Sequence, residues 1–97
     1  MTTQISQTDK DLARTRFLKL ISDEVDRAIK KHGDDQWKRH EFYGIILEEV
    51  EEMWDAIKGD DSDEHLLEEM VQVAAMCLRF AETTPELQKE LSKTRLP

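Results

Sequence analysis

The stretch EEVEEMWDAIKGDDSDEHLLEEMVQ, residues 48–72, decides how this chain is to be read. Apolar residues recur at helical spacing on both sides of Gly59: Val50, Met53, Trp54 and Ile57 before it, Leu66 and Met70 after it. The Gly59-Asp60-Asp61 connection is short, so the two halves are antiparallel neighbours. At about 100° per residue, Glu49 falls inside the apolar arc of its helix, between Phe42, Ile46, Val50, Met53 and Ile57 on one side and Ile45 and Ala56 on the other. Glu69 occupies the matching place on the next helix, among Leu66, Met70, Val73, Cys77 and Phe80, with Met76 across. Three residues beyond these acids lie Glu52 and Gln72. Counted outward from the middle of the connection, Glu52 is level with Glu69 and Glu49 with Gln72. Four oxygen-bearing side chains therefore converge between the two helices.

The rest of the chain reads in the same way. Only three Gly and two Pro interrupt it, and no segment alternates apolar and polar residues, so the expected fold class is all-α, an antiparallel bundle of about four helices. Residues 1–8 read as a flexible polar tail and 9–97 as one domain. Thr8 with Asp11 is the expected cap of a first helix carrying Leu12, Phe17, Leu18, Ile21, Val25, Ala28 and Ile29, which runs to about Lys31 and stops at Gly33. His32–Arg39 is a polar connector holding Trp37. The second helix is expected from about His40 to Lys58, and the third from near Ser62 to about Glu82. Thr84-Pro85 opens a short fourth, with Leu87 and Leu91 on its apolar side.

Composition narrows the function. Among 97 residues, Lys and Arg number 14 against 22 Asp and Glu, a net charge of −8 that speaks against a nucleic-acid partner, because phosphate backbones are held by cationic side chains. One cysteine, Cys77, excludes a disulfide framework and a thiolate zinc cage, and it reads as a small core residue. No apolar run spans a membrane and the start has no signal-peptide pattern, so the expected location is cytoplasmic. The acids are concentrated: Glu48–Glu69 holds 11 of them and a single Lys or Arg, Lys58.

A solvated face is the ordinary fate of such a run. Here the phase differs, because Glu49 and Glu69 point into apolar surroundings, where an isolated carboxylate costs several kcal/mol and neighbouring ones repel. Lys58 sits at the loop end, too far along the helix to neutralise them. A hard divalent cation is the natural counter-charge, and all-oxygen ligation suits Mg²⁺ or Mn²⁺.

Glu48-Glu49-Val50-Glu51-Glu52 followed by Glu69-Met70-Val71-Gln72 resembles the EExxE and ExxD elements of the MazG-like, all-α nucleoside triphosphate pyrophosphohydrolases, and Trp37–Glu82 resembles their core. The resemblance implies Mg²⁺-dependent hydrolysis of a nucleoside triphosphate to the monophosphate and pyrophosphate. It further implies Glu49, Glu52 and Glu69 as metal ligands, with Glu48 orienting or deprotonating the attacking water, and a homodimer or homotetramer. The sequence departs from the family at Gln72, where the pattern has Asp. A Gln amide oxygen still ligates Mg²⁺, with one negative charge fewer. Glu51 stands where a small residue is common.

Substrate contacts are weaker candidates. Trp37 is placed either to stack on a base or to plug the core. Lys38, Arg39 and Arg79 are candidate phosphate contacts, with solvated surface as the competing role of the first two. His32, His40 and His65 lack the spacing of a transition-metal site. A di-iron bundle needs Glu-x-x-His pairs, which are missing, and Asp60-Asp61-Ser62-Asp63 lacks the glycine and glutamate of an EF-hand. The principal alternative is a non-catalytic helical interaction module of the same fold.

Overall fold

A computed structural model describes residues 4–34 and 36–97. Met1–Thr3, part of the expected N-terminal tail, lie outside the described residues. Among the described residues the chain is all-α, with four helices and no strand: α1 (Gln7–His32), α2 (Arg39–Lys58), α3 (Asp63–Thr83) and α4 (Pro85–Leu91). Among the described residues no helix is long and apolar enough to cross a membrane.

The helices end where the local chemistry directs. α1 starts two residues before the expected Thr8–Asp11 cap. Ser6 accepts from the Asp9 amide at 3.0 Å while the Asp9 carboxylate accepts from the Ser6 amide at 3.3 Å. The earlier start also brings Gln7 onto Asp11 at 2.9 Å, one helical turn on. Gly33 ends the helix at φ 85°, a left-handed conformation open to glycine, and its N–H closes on the Ile29 carbonyl at 2.7 Å. Glu41 caps α2 by accepting from the Lys38 amide at 3.1 Å. In the α2–α3 connection the left-handed residue is Asp60 (φ 51°) rather than Gly59. Ser62 caps α3 by accepting from the His65 amide at 3.1 Å.

α3 is the central strut, packed against each of the other helices, whereas α1 and α2 do not pack on one another. The pairs Glu24–Gln72 and Gly33–Arg79 make α1 parallel to α3. Counting back from the first pair, Asp63 is level with Thr15, so the first turns of α1 project beyond α3. The radius of gyration, 15.5 Å, accordingly exceeds the ~12–13 Å of a compact chain of this length.

Two small cores hold the helices together. Between α1 and α3, Ile21, Val25 and Ala75 are buried, with Phe17, Ile29 and Ala74 packed around them. Between α2 and α3, Phe42 is fully buried and stacks on Phe80 with ring centroids 4.6 Å apart, and Trp37 tilts onto Phe42 at 5.2 Å. Much apolar surface stays outside. Tyr43, Leu47, Val50, Trp54 and Ile57 of α2 are exposed at alternating four- and three-residue steps, and Met70 and Cys77 of α3, seven residues apart, are exposed too. Cys77, Val50 and Ile57 were expected inside. They lie on the side of the hairpin that α1 leaves bare, because α1 packs on Val71 and Ala75 across α3.

Candidate metal centre

The α2–α3 hairpin places its acids as the register requires. Glu49, Glu52 and Glu69 each bring one carboxylate oxygen within 4.8 Å of the others. Oxygens ligating one Mg²⁺ at about 2.1 Å stand roughly 3–4 Å apart, so a small side-chain adjustment closes the set around an ion. Glu49 and Glu69 are half-buried and Glu52 is exposed, which leaves one side open to solvent.

Like charge and desolvation dominate the electrostatics of this cluster. The Glu49 carboxyl is held above its ordinary value of 4.5, first by desolvation and then by the charges of Glu52 and Glu69. Glu69 is raised for the same leading reasons, burial and then the Glu52 charge, with His65 working in the opposite direction. The Glu69 Oε2 atom is sealed from solvent and accepts no hydrogen bond among the described residues. A buried carboxylate oxygen without a donor is rare in folded proteins, and a bound cation is one way to satisfy it. The donors are all oxygen and all anionic, which fits Mg²⁺ or Mn²⁺ better than a softer ion.

The residues around the triad divide into those that approach it and those that stand away. Glu48 is exposed one turn from Glu52 on the same side of α2, and its charge adds to the upward pressure on Glu49. Gln72 turns its amide nitrogen to Glu24 of α1, donating to Oε1 at 2.8 Å. Glu24 also accepts from Arg27, through Nε at 2.8 Å, and this contact above all holds its carboxyl below the ordinary range. His65 brings Nε2 to 3.7 Å from the near oxygen of Glu69 and 3.6 Å from Asp61.

The expected substrate contacts gather at the other end of the hairpin. Arg79 is ten residues beyond Glu69, about 15 Å along the helix. It is buried, with its guanidinium 4.9 Å from the centre of the Trp37 ring and one nitrogen 3.4 Å from the Gly33 carbonyl. Its Nε has no partner among the described residues. Trp37 thus lies between Phe42 and Arg79 as part of a plug. Lys38 and Arg39 are exposed and line a shallow cavity of about 300 Å³ with Gln36, Trp37, Thr84 and Glu86.

Sequence reasoning missed Glu24, because its closeness to Gln72 depends on the packing of α1. It also left His65 aside, although the i, i+4 spacing to Glu69 was legible. Together the fold and the cluster define an all-α protein with a three-carboxylate centre inside a helical hairpin. No family model matches the chain, and no curated protein or solved structure matches it.

Proposed function

We propose that the protein is a Mg²⁺-dependent nucleoside triphosphate pyrophosphohydrolase of MazG-like type, releasing pyrophosphate and a nucleoside monophosphate. The observation that carries this reading is the Glu49–Glu52–Glu69 triad with its orphaned Glu69 Oε2, set beside the EExxE spacing. Glu49, Glu52 and Glu69 hold the ion, with Gln72 as a neutral fourth oxygen. A bound Mg²⁺ or Mn²⁺ supplies charge neutralisation of the triphosphate and polarisation of its phosphorus. Glu48, exposed and one turn from Glu52 on α2, would accept a proton from the water that attacks the phosphorus. A protein of net charge −8 has few other means of tolerating a triphosphate. Trp37, which lines the cavity at the open end of the hairpin, would offer an aromatic edge to the base, with Lys38 and Arg39 of the same cavity beside the phosphates. The cytoplasm, where such nucleotides are abundant, is the proposed location.

We further propose that the working form is a homodimer or homotetramer. The stripe of Tyr43, Leu47, Val50, Trp54 and Ile57, with Met70 beside it, forms an apolar face over both helices of the hairpin. A second hairpin laid on this face would complete a four-helix bundle, removing from water what the protomer cannot cover.

Pyrophosphate release from a panel of nucleoside triphosphates with Mg²⁺ tests the activity. Glu52→Gln and Glu69→Gln should each abolish it with helicity intact; if both variants stay fully active, the site is misassigned. Light scattering should find at least a dimer at low micromolar concentration, and Trp54→Ser should shift it toward monomer.

A further inference from the structure

From the contact between α1 and α3 we infer that Glu24 is a positioning residue of the metal centre, which holds Gln72 in the one orientation that presents its carbonyl oxygen to a cation. The inference rests on the metal-binding reading above and concerns a residue on a helix that carries none of the three carboxylates.

An ionised carboxylate only accepts hydrogen bonds, so the amide of Gln72 has to face Glu24 with its NH₂ group. The observed bond runs from Gln72 Nε2 to Glu24 Oε1 at 2.8 Å. The amide oxygen is then directed away from that carboxylate. Among the described residues it accepts no hydrogen bond, yet it is not among the polar atoms sealed from solvent, so it remains free for a ligand. Gln72 stands one turn beyond Glu69 on α3 and level with Glu49 across the hairpin, beside the triad. Arg27 in turn pins Glu24 through Nε at 2.8 Å, giving a chain Arg27–Glu24–Gln72 that fixes a flexible amide. Groups that orient ligands in this way are a regular part of metal sites.

The same contact accounts for the residue type at 72. An acid there would set a second carboxylate against Glu24 at hydrogen-bonding distance, with Arg27 alone among the described residues to offset the two. Glutamine turns that repulsion into a hydrogen bond and keeps an oxygen for the ion, while the negative charge remains nearby on α1.

Mn²⁺ binding, followed by electron paramagnetic resonance together with thermal melts, tests this. Glu24→Leu should weaken Mn²⁺ about ten-fold while far-ultraviolet circular dichroism is unchanged. Glu24→Gln should recover most of the loss, since its amide oxygen can still accept from Gln72. The reciprocal pair Glu24→Gln with Gln72→Glu re-forms the bond with donor and acceptor exchanged, and should bind at least as tightly as the wild type. Glu52→Gln is the control that separates the two levels. If it abolishes Mn²⁺ binding while Glu24→Leu leaves the affinity unchanged, the role of Glu24 is overturned and the metal centre stands. If the reciprocal pair binds no better than Glu24→Leu, the role is likewise overturned. If Glu52→Gln binds like the wild type, the metal reading fails and takes the inference with it.

Discussion

Two regions lie between the same pair of helices and are built in opposite ways. At the open end of the hairpin Trp37, Phe42, Phe80 and Arg79 stack on one another, and Phe42 is wholly buried. Nearer the connection, Glu49, Glu52 and Glu69 face one another, with the carboxyls of Glu49 and Glu69 held above their ordinary value and one buried Glu69 oxygen unpartnered. The first region gains free energy from aromatic burial and stacking. The second costs free energy in the metal-free protein, through desolvation and like-charge repulsion. The hairpin thus sets a costly cluster beside a small stabilising core.

The largest consequence concerns the plug. Phe42→Ala removes the one large side chain that is fully buried among the described residues and leaves Phe80 and Trp37 facing a void, so it should destabilise the fold by about 3–5 kcal/mol in urea titration. Such a loss would be a large share of the stability of a domain this size. A loss under about 1 kcal/mol would mean that the aromatic stack is not what holds α2 to α3.

The triad should respond with the opposite sign. Glu69→Gln removes one of three facing charges and should stabilise the metal-free protein by about 1–2 kcal/mol. Saturating Mg²⁺ should reverse the order, because the wild type gains binding energy that the variant lacks. If Glu69→Gln melts below the wild type without metal, the comparison between the regions breaks.

The pH dependence sharpens it further. Glu49 and Glu69 have folded-state pKa values raised above 4.5, so the native state holds their protons more tightly than the unfolded chain does. Their cost is absent below about 4.5 and grows as pH rises through the raised values. Glu24 is shifted downward, and its contribution is present above 4.5 and fades as pH falls through its lowered value. The advantage of Glu69→Gln over the wild type should therefore shrink toward pH 4.5 in metal-free melts, and an advantage constant from pH 4.5 to 7 would contradict the raised carboxyls.

Arg79 should show the smallest effect on stability. It is buried with a cation–π contact to Trp37 and, among the described residues, no carboxylate within salt-bridge distance. Arg79→Met keeps the length and removes the desolvated charge, so the two changes should offset to within about 1 kcal/mol. A raised KM with unchanged melting would mark Arg79 as a substrate contact, whereas unchanged KM would confine it to the plug.

The sequence by itself determined the helices, the reversal between α2 and α3 and the meeting of Glu49, Glu52 and Glu69. All three follow from local rules: periodicity, capping chemistry and an antiparallel register fixed by a short connection. The N-terminal cap fell two residues early because Ser6-x-x-Asp9 and Thr8-x-x-Asp11 offer the same chemistry, and the earlier one gives the longer helix. Only the tertiary structure decided which face of α3 receives α1. That choice put Glu24 against Gln72, buried Arg79 under Trp37, and left Cys77, Val50 and Ile57 exposed where the helical arc alone had counted them as core. A helical wheel gives the direction of each side chain about its own axis. It does not say which directions another helix fills, because that depends on contacts between residues some 46–48 positions apart in the chain, Arg79 with Gly33 and Gln72 with Glu24.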